Sequence, residues 1–69
     1  MGEKINIKTE YITLGQFLKY VNIIESGAMA KMYLSEAEVY VNGELENRRG
    51  KKLYPGYVIK VENNEYIIG

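Results

Sequence analysis

The spacing of apolar and polar residues changes along the chain, and each change predicts a new element. In "INIK", Ile5 and Ile7 alternate with polar residues, which predicts a short first strand. Residues 13–22, "TLGQFLKYVN", have helical spacing instead, with an apolar stripe that consists of Leu14, Phe17, Leu18 and Val21. Thr13 is followed three residues later by Gln16, a capping-box pattern, so this helix is predicted to begin at Thr13.

A second helix is predicted to begin at Ser26, a capping residue, and to end near residue 34 or 35. Its apolar face is expected to contain Ala30, Tyr33, Leu34 and Ala37, widened by Met29 and Met32. Lys31 points away from that face. The small pair Gly27–Ala28 allows a close approach of backbone, and packing of the first helix is favoured there over contact with a ligand.

After the helices the period becomes two, which predicts strands. In "EVYVNGEL", Val39 and Val41 share one face, and Asn42-Gly43 suits a tight hairpin turn. "KKLYPGYVIKVE" contains a further strand pattern interrupted by a Pro-Gly turn, and "EYIIG" forms a last strand. This order predicts an α+β fold in which two helices pack on a small, mostly antiparallel sheet of four to five strands.

The composition argues against several classes of function. The chain of 69 residues is expected to form a single domain, residues 1–69. It contains no Cys, His or Asp, so the usual catalytic bases and the Cys or His ligands of metal sites are missing. We therefore expect no catalytic residues, no metal site and no cofactor. The sequence has no signal-peptide core and no apolar run of about 18 residues, which favours a cytoplasmic protein without membrane contact.

Positive charge is concentrated in one segment of this formally neutral chain. Residues 39–61 contain five basic residues and two acids, a balance of +3, whereas residues 1–38 have four lysines and five glutamates, a balance of −1. Four of the basic residues surround Gly50, namely Arg48, Arg49, Lys51 and Lys52. A turn at Gly50 is expected to bring these charges together as a patch that attracts polyanions, although a solvated loop is the simpler alternative.

Residues from Ile12 to Glu62 resemble the RNA-binding domain named after ribosomal small-subunit protein S-four, also called the αL motif. The similarity depends on two helices followed by "VYVNG", the basic segment, a Pro-Gly turn and the pattern G-x-x-I-x-V. The whole chain is more similar still to the short standalone YaaA-like bacterial members of this family. Many members have Gly-Asp where this chain has Gly56-Tyr57, so a hydrogen bond made by that aspartate is not transferred.

The resemblance implies binding to structured RNA, either ribosomal or similar to transfer RNA, through the second helix and the following hairpin. Carried over by position, the RNA-binding residues are Ser26, Lys31, Asn42, Asn47, Arg48, Arg49, Lys51 and Lys52. The implied role lies in ribosome assembly or function, with the ribosomal particle as a further partner and the chain as a monomer.

Two other classes stay open at this point. The basic tip can serve a protein-interaction module that binds an acidic partner, or the chain can dock RNA for an enzyme whose catalytic part lies in another chain. Tyr40, Tyr54 and Tyr57 are able to stack on unpaired bases, although packing on the sheet is favoured for each of them.

Overall fold

Two helices and seven strands form the fold in the computed structural model, which describes residues 2–69. The helices are α1 (Leu14–Tyr20) and α2 (Ala30–Glu36), and a 3₁₀ turn, Gly27–Met29, precedes α2. The strands are β1 (Gly2–Ile5), β2 (Ile12–Thr13), β3 (Val39–Val41), β4 (Glu44–Leu45), β5 (Lys52–Leu53), β6 (Val58–Val61) and β7 (Asn64–Ile68). The predicted α+β class is confirmed.

Five of these strands form one mixed sheet in the order β1-β7-β6-β3-β4. Every neighbouring pair is antiparallel except β1 and β7, which run parallel with Ile5 opposite Ile68. The strands β2 and β5 pair separately, with Ile12 opposite Leu53. The predicted Asn42-Gly43 hairpin joins β3 to β4, and both residues have the positive φ that a tight hairpin turn of this kind requires.

Helix α1 begins where its sequence predicts. The Thr13 hydroxyl accepts a hydrogen bond from the backbone N–H of Gln16 (3.3 Å), and the Gln16 side-chain oxygen accepts one from the backbone N–H of Thr13 (3.1 Å). The apolar residues Leu14, Phe17 and Leu18 are buried against the inner face of the sheet. The Phe17 ring meets Tyr66 of β7 edge to face, with centroids 5.3 Å apart, so this helix supplies the centre of the core.

The second helix differs from its prediction in three ways. Ser26 occupies the cap position of a 3₁₀ turn, where its side chain makes no capping hydrogen bond, and the α-helix begins only at Ala30. Met29 and Met32, predicted to be buried, are both exposed, so the expectation of a wider apolar face was wrong. No heavy atom outside its chain neighbours lies within 4 Å of a Cβ placed at Gly27, so packing does not require a glycine at this position.

The first strand also lies earlier than predicted. It ends at Ile5, which is buried, and Ile7 lies outside it, half-buried against the core. The partner of β1 is β7, about sixty residues later in the chain, and this pairing sets the strand boundary. Neither helix within residues 2–69 has the length and apolar composition needed to cross a membrane.

Candidate nucleic-acid interface

The basic segment, residues 48–52, leads from the hairpin into β5. The predicted turn at Gly50 is present, since the backbone N–H of Lys51 donates to the carbonyl oxygen of Arg48 at 3.2 Å. The side chains of Arg48, Arg49 and Lys52 are exposed, and Lys51 is half-buried. The turn therefore brings four cationic side chains together over five consecutive residues.

Hydrogen bonds to α1 fix the backbone of this segment. The N–H of Leu14 donates to the carbonyl oxygen of Lys51 (2.8 Å), and the N–H of Gly15 donates to that of Arg49 (2.9 Å). These donors lie in the first turn of the helix, where no partner exists within the helix itself. The short ladder between β2 and β5 continues the same contact. The basic segment is thus held in place through its backbone, which leaves its side chains available for a ligand.

Gly15 is the point where the basic segment and α2 both meet α1. A Cβ placed at Gly15 would lie 3.4 Å from the carbonyl oxygen of Arg49 and 3.5 Å from the Cβ of Ala30. Ala30 is the first residue of α2, and the exposed Lys31 follows it directly. The beginning of α2, which carries Lys31, therefore lies beside the basic segment.

One cation of the segment has a partner within the chain. Arg48 Nε lies 2.9 Å from Glu46 Oε2, and a second guanidinium nitrogen donates to Glu46 Oε1 at 3.3 Å. The hydrogen bond from Arg48 lowers the pKa of the Glu46 carboxyl below its usual value, so the pair stays ionised at neutral pH. Within residues 2–69, no ion pair joins a carboxylate to Arg49, Lys51 or Lys52. Three of the four cations consequently lie outside ion-pair distance of any carboxylate in the described residues.

The three remaining residues predicted for the site are placed differently. Asn42 uses its side-chain oxygen as an acceptor for the backbone N–H of Val58 (2.9 Å), so this amide ties the hairpin to β6. Asn47 is exposed and directly precedes the basic segment. Ser26 is exposed at the 3₁₀ turn before α2, and no hydrogen bond of the described residues joins its side chain to the basic segment.

Two residues that matter for this surface were absent from the predicted set. Glu46 reduces the charge of Arg48, and its spacing of two residues from that arginine was visible in the sequence. Gly15 determines how closely the basic segment and α2 approach each other. Its position within a helical pattern gave no indication of contacts to residues more than thirty positions away.

Comparison with known proteins shows similarity over nearly the whole chain. The sequence matches the S4 domain family over residues 5–69. It is also similar to the probable ribosome maturation protein RlbA of Bacillus subtilis (strain 168), with 60% identity over 62 residues. The aligned region covers 90% of this chain and 87% of that relative.

Proposed function

Because the chain belongs to the S4 domain family, we propose that it binds structured RNA, in particular ribosomal RNA during ribosome assembly or function. The name of its relative from Bacillus subtilis describes a ribosome maturation protein, which supports the same setting. The predicted resemblance to S-four-like domains is confirmed by the family match. We propose that the bound RNA is ribosomal RNA.

The main support for this proposal is that backbone hydrogen bonds hold the basic segment in place, while most of its cationic side chains form no ion pair with a carboxylate. A preformed cationic surface binds phosphate groups without first having to break ion pairs within the protein. The guanidinium of Arg49 offers a planar pair of donors to phosphate oxygens, and Lys51 and Lys52 supply point charges.

The proposed surface extends from the basic segment towards α2. Lys31 lies at the beginning of that helix, close to where Gly15 contacts Arg49, so one folded RNA can reach both elements. Asn47 borders the segment and offers both a donor and an acceptor to a sugar hydroxyl. We place Ser26 and Asn42 at the margin of this surface, since Ser26 lies before α2 and the Asn42 oxygen is already bonded.

We propose that the chain binds RNA and catalyses no reaction. The chain has none of the His, Cys or Asp residues on which most acid–base and nucleophilic mechanisms depend. We propose that residues 1–69 act as a single domain, as a monomer and in the cytoplasm. Purified protein incubated with ribosomal RNA and nucleotides should leave both unchanged, and reproducible cleavage or modification of either would contradict this part.

Crosslinking in cells followed by sequencing of the attached RNA tests the main proposal. The expected result is enrichment of ribosomal RNA at one or a few positions, which is lost when Arg48 and Arg49 are both changed to Glu. The double substitution Lys4→Glu and Lys8→Glu changes the total charge equally but alters exposed residues outside the proposed surface, so it should retain the enrichment. Salt-dependent binding to an acidic protein, without binding to RNA, would instead favour the protein-interaction alternative.

A further inference from the structure

Three tyrosine rings form a row beside the basic segment. The Tyr54 ring lies 5.7 Å from that of Tyr11 and 5.8 Å from that of Tyr57, measured between centroids. Tyr11 and Tyr54 are 36% and 37% exposed, whereas Tyr57 is half-buried and packs against the core. Aromatic surface is therefore accessible to solvent in the middle of the row, which argues against a role for Tyr54 in packing alone.

The turn that carries two of these rings fixes their separation. The backbone N–H of Tyr57 donates to the carbonyl oxygen of Tyr54 at 3.0 Å, across Pro55-Gly56. Proline restricts its own φ, and the φ of +96° at Gly56 is one that glycine adopts without strain. The N–H of Gly56 also donates to the carbonyl oxygen of Ile68 (2.7 Å), which ties the turn to β7. The two rings are thus presented by a short, well-bonded turn.

Cationic side chains lie next to the aromatic row. Lys52 Nζ is 5.0 Å from the centre of the Tyr11 ring, within the range of a cation–π contact. An open depression on the surface joins the two features and is lined by Arg48, Gly50, Lys51, Lys52, Tyr54 and Tyr57. Aromatic and cationic groups therefore share one concave surface.

We propose that this depression binds an unpaired nucleotide of RNA, with its base stacked on Tyr54 and its phosphate beside Lys51 and Lys52. The inference rests on the proposed function and adds the local form of the RNA. A base inside a helix has neighbours on both faces, so only an unpaired base offers a free face to the ring. Stacking on tyrosine together with phosphate contacts is how proteins commonly hold single-stranded nucleic acid.

Binding to two matched RNA hairpins tests this inference. A non-nucleotide linker closes the stem of both hairpins, so the blunt one has no unpaired base, whereas the other carries a single-stranded extension of four adenosines that includes the fluorescent base 2-aminopurine. The unaltered chain should bind the extended hairpin more tightly and quench the fluorescent base. Tyr54→Ala should reduce affinity for the extended hairpin by about 5- to 150-fold, the loss typical of one stacked base, and leave affinity for the blunt hairpin unchanged.

Three further variants separate stacking from structural effects. Tyr54→Phe keeps the ring and should retain both the affinity and the quenching, whereas Tyr54→Leu keeps apolar bulk and should lose them. Tyr20→Ala removes a tyrosine that is 58% exposed at the end of α1 and should change neither. Thermal melting of each variant identifies any that fails to fold.

The possible failures are distinguishable. Equal affinity of the unaltered chain for both hairpins, or an equal loss on both with Tyr54→Ala, would overturn the stacking inference while RNA binding itself stands. Retained quenching in Tyr54→Leu would overturn it as well, because no aromatic ring would remain at that position. Failure of the unaltered chain to bind either hairpin or purified ribosomal RNA would contradict the proposed function itself.

Discussion

The backbone N–H of Gly15 donates a hydrogen bond to the carbonyl oxygen of Arg49 at 2.9 Å. This bond joins the first turn of α1 to the turn that presents the basic side chains, across more than thirty residues of sequence. A Cβ placed at this glycine would lie 3.5 Å from the Cβ of Ala30, at the beginning of α2. A position without a side chain thus lies where α1, the basic segment and α2 approach one another.

The effect of a substitution at Gly15 on stability should therefore depend on the size of the new side chain. A single Cβ fits at ordinary contact distances, and alanine favours a helix, so Gly15→Ala should leave stability unchanged or raise it by up to about 1 kcal/mol. Gly15→Val adds two methyl groups between Arg49 and Ala30 and should cost about 1–3 kcal/mol. Urea denaturation measures both values. Equal stability of the two variants would show that the contact is looser than these distances indicate.

Reversing the charge of the arginine pair should abolish RNA binding with little effect on folding. Arg48 and Arg49 are exposed, and exposed charges contribute little to stability. The variant that carries Arg48→Glu and Arg49→Glu should bind ribosomal RNA too weakly to measure at physiological salt, while its melting temperature changes by only a few degrees. Fluorescence anisotropy and thermal melting provide the two readouts. A drop in melting temperature comparable to that of a buried-core substitution would assign the arginines a structural role.

Removing the acid that pairs with Arg48 should strengthen RNA binding. Glu46→Gln keeps an oxygen that can accept from the Arg48 backbone N–H but releases the guanidinium from its ion pair. The affinity should rise up to about fivefold, which is the change that loss of one ion pair at the protein surface would produce. The slope of log affinity against log salt should become steeper by roughly 0.7–0.9, as expected for one added phosphate contact. Weaker binding by this variant would mean that Glu46 orients Arg48 for RNA.

A hydrogen bond between α2 and the β6–β7 turn should make the stability of the chain depend on pH in the alkaline range. The Tyr33 hydroxyl donates to Glu62 Oε2 at 2.6 Å, and burial together with this bond raises the pKa of Tyr33 well above its usual value. Tyr33→Phe should therefore cost about 0.5–1.5 kcal/mol near neutral pH. Since the folded state holds this proton more tightly, the advantage of tyrosine is complete below about pH 10 and declines as the pH rises further.

Denaturation of both proteins between pH 7 and pH 11.5 measures this effect. The two proteins differ only at position 33, so the contributions of all other residues cancel in the difference between the two stabilities. A difference that stays constant over the whole range would show that the phenol titrates alike in the folded and unfolded chain.

The sequence predicted those elements that depend on residues close together in the chain. The capping box at Thr13 and Gln16 placed the start of α1, and Asn42-Gly43 placed the hairpin, because both depend on residues within four positions of each other. The grouping of Arg48 to Lys52 followed from their adjacency. The membership of Lys31 and the other predicted residues in an RNA-binding surface stays a prediction.

Other features depend on contacts that spacing along the chain does not reveal. The 3₁₀ turn contains Met29 and so places it outside the α-helix. Met32 is different, because its spacing of two residues from the buried Ala30 already places it on the opposite side of α2. The two-residue strand β2 is too short to produce a periodic pattern and exists because β5 pairs with it. The bonds from Leu14 and Gly15 to the basic segment likewise join elements distant in sequence.

The parallel pairing of β1 with β7 has a consequence for the order of folding. Both β1 and β6 use β7 as a neighbour, so the sheet is complete only when the segment Asn64–Ile68 takes its place. The helices and the Asn42-Gly43 hairpin involve residues close together in the chain and can form early in folding, whereas β1 needs a partner about sixty residues away. Until then β6 presents an open edge to other chains. Residues 64–68 therefore complete the sheet, and a chain that lacks them would leave both β1 and the edge of β6 without a partner.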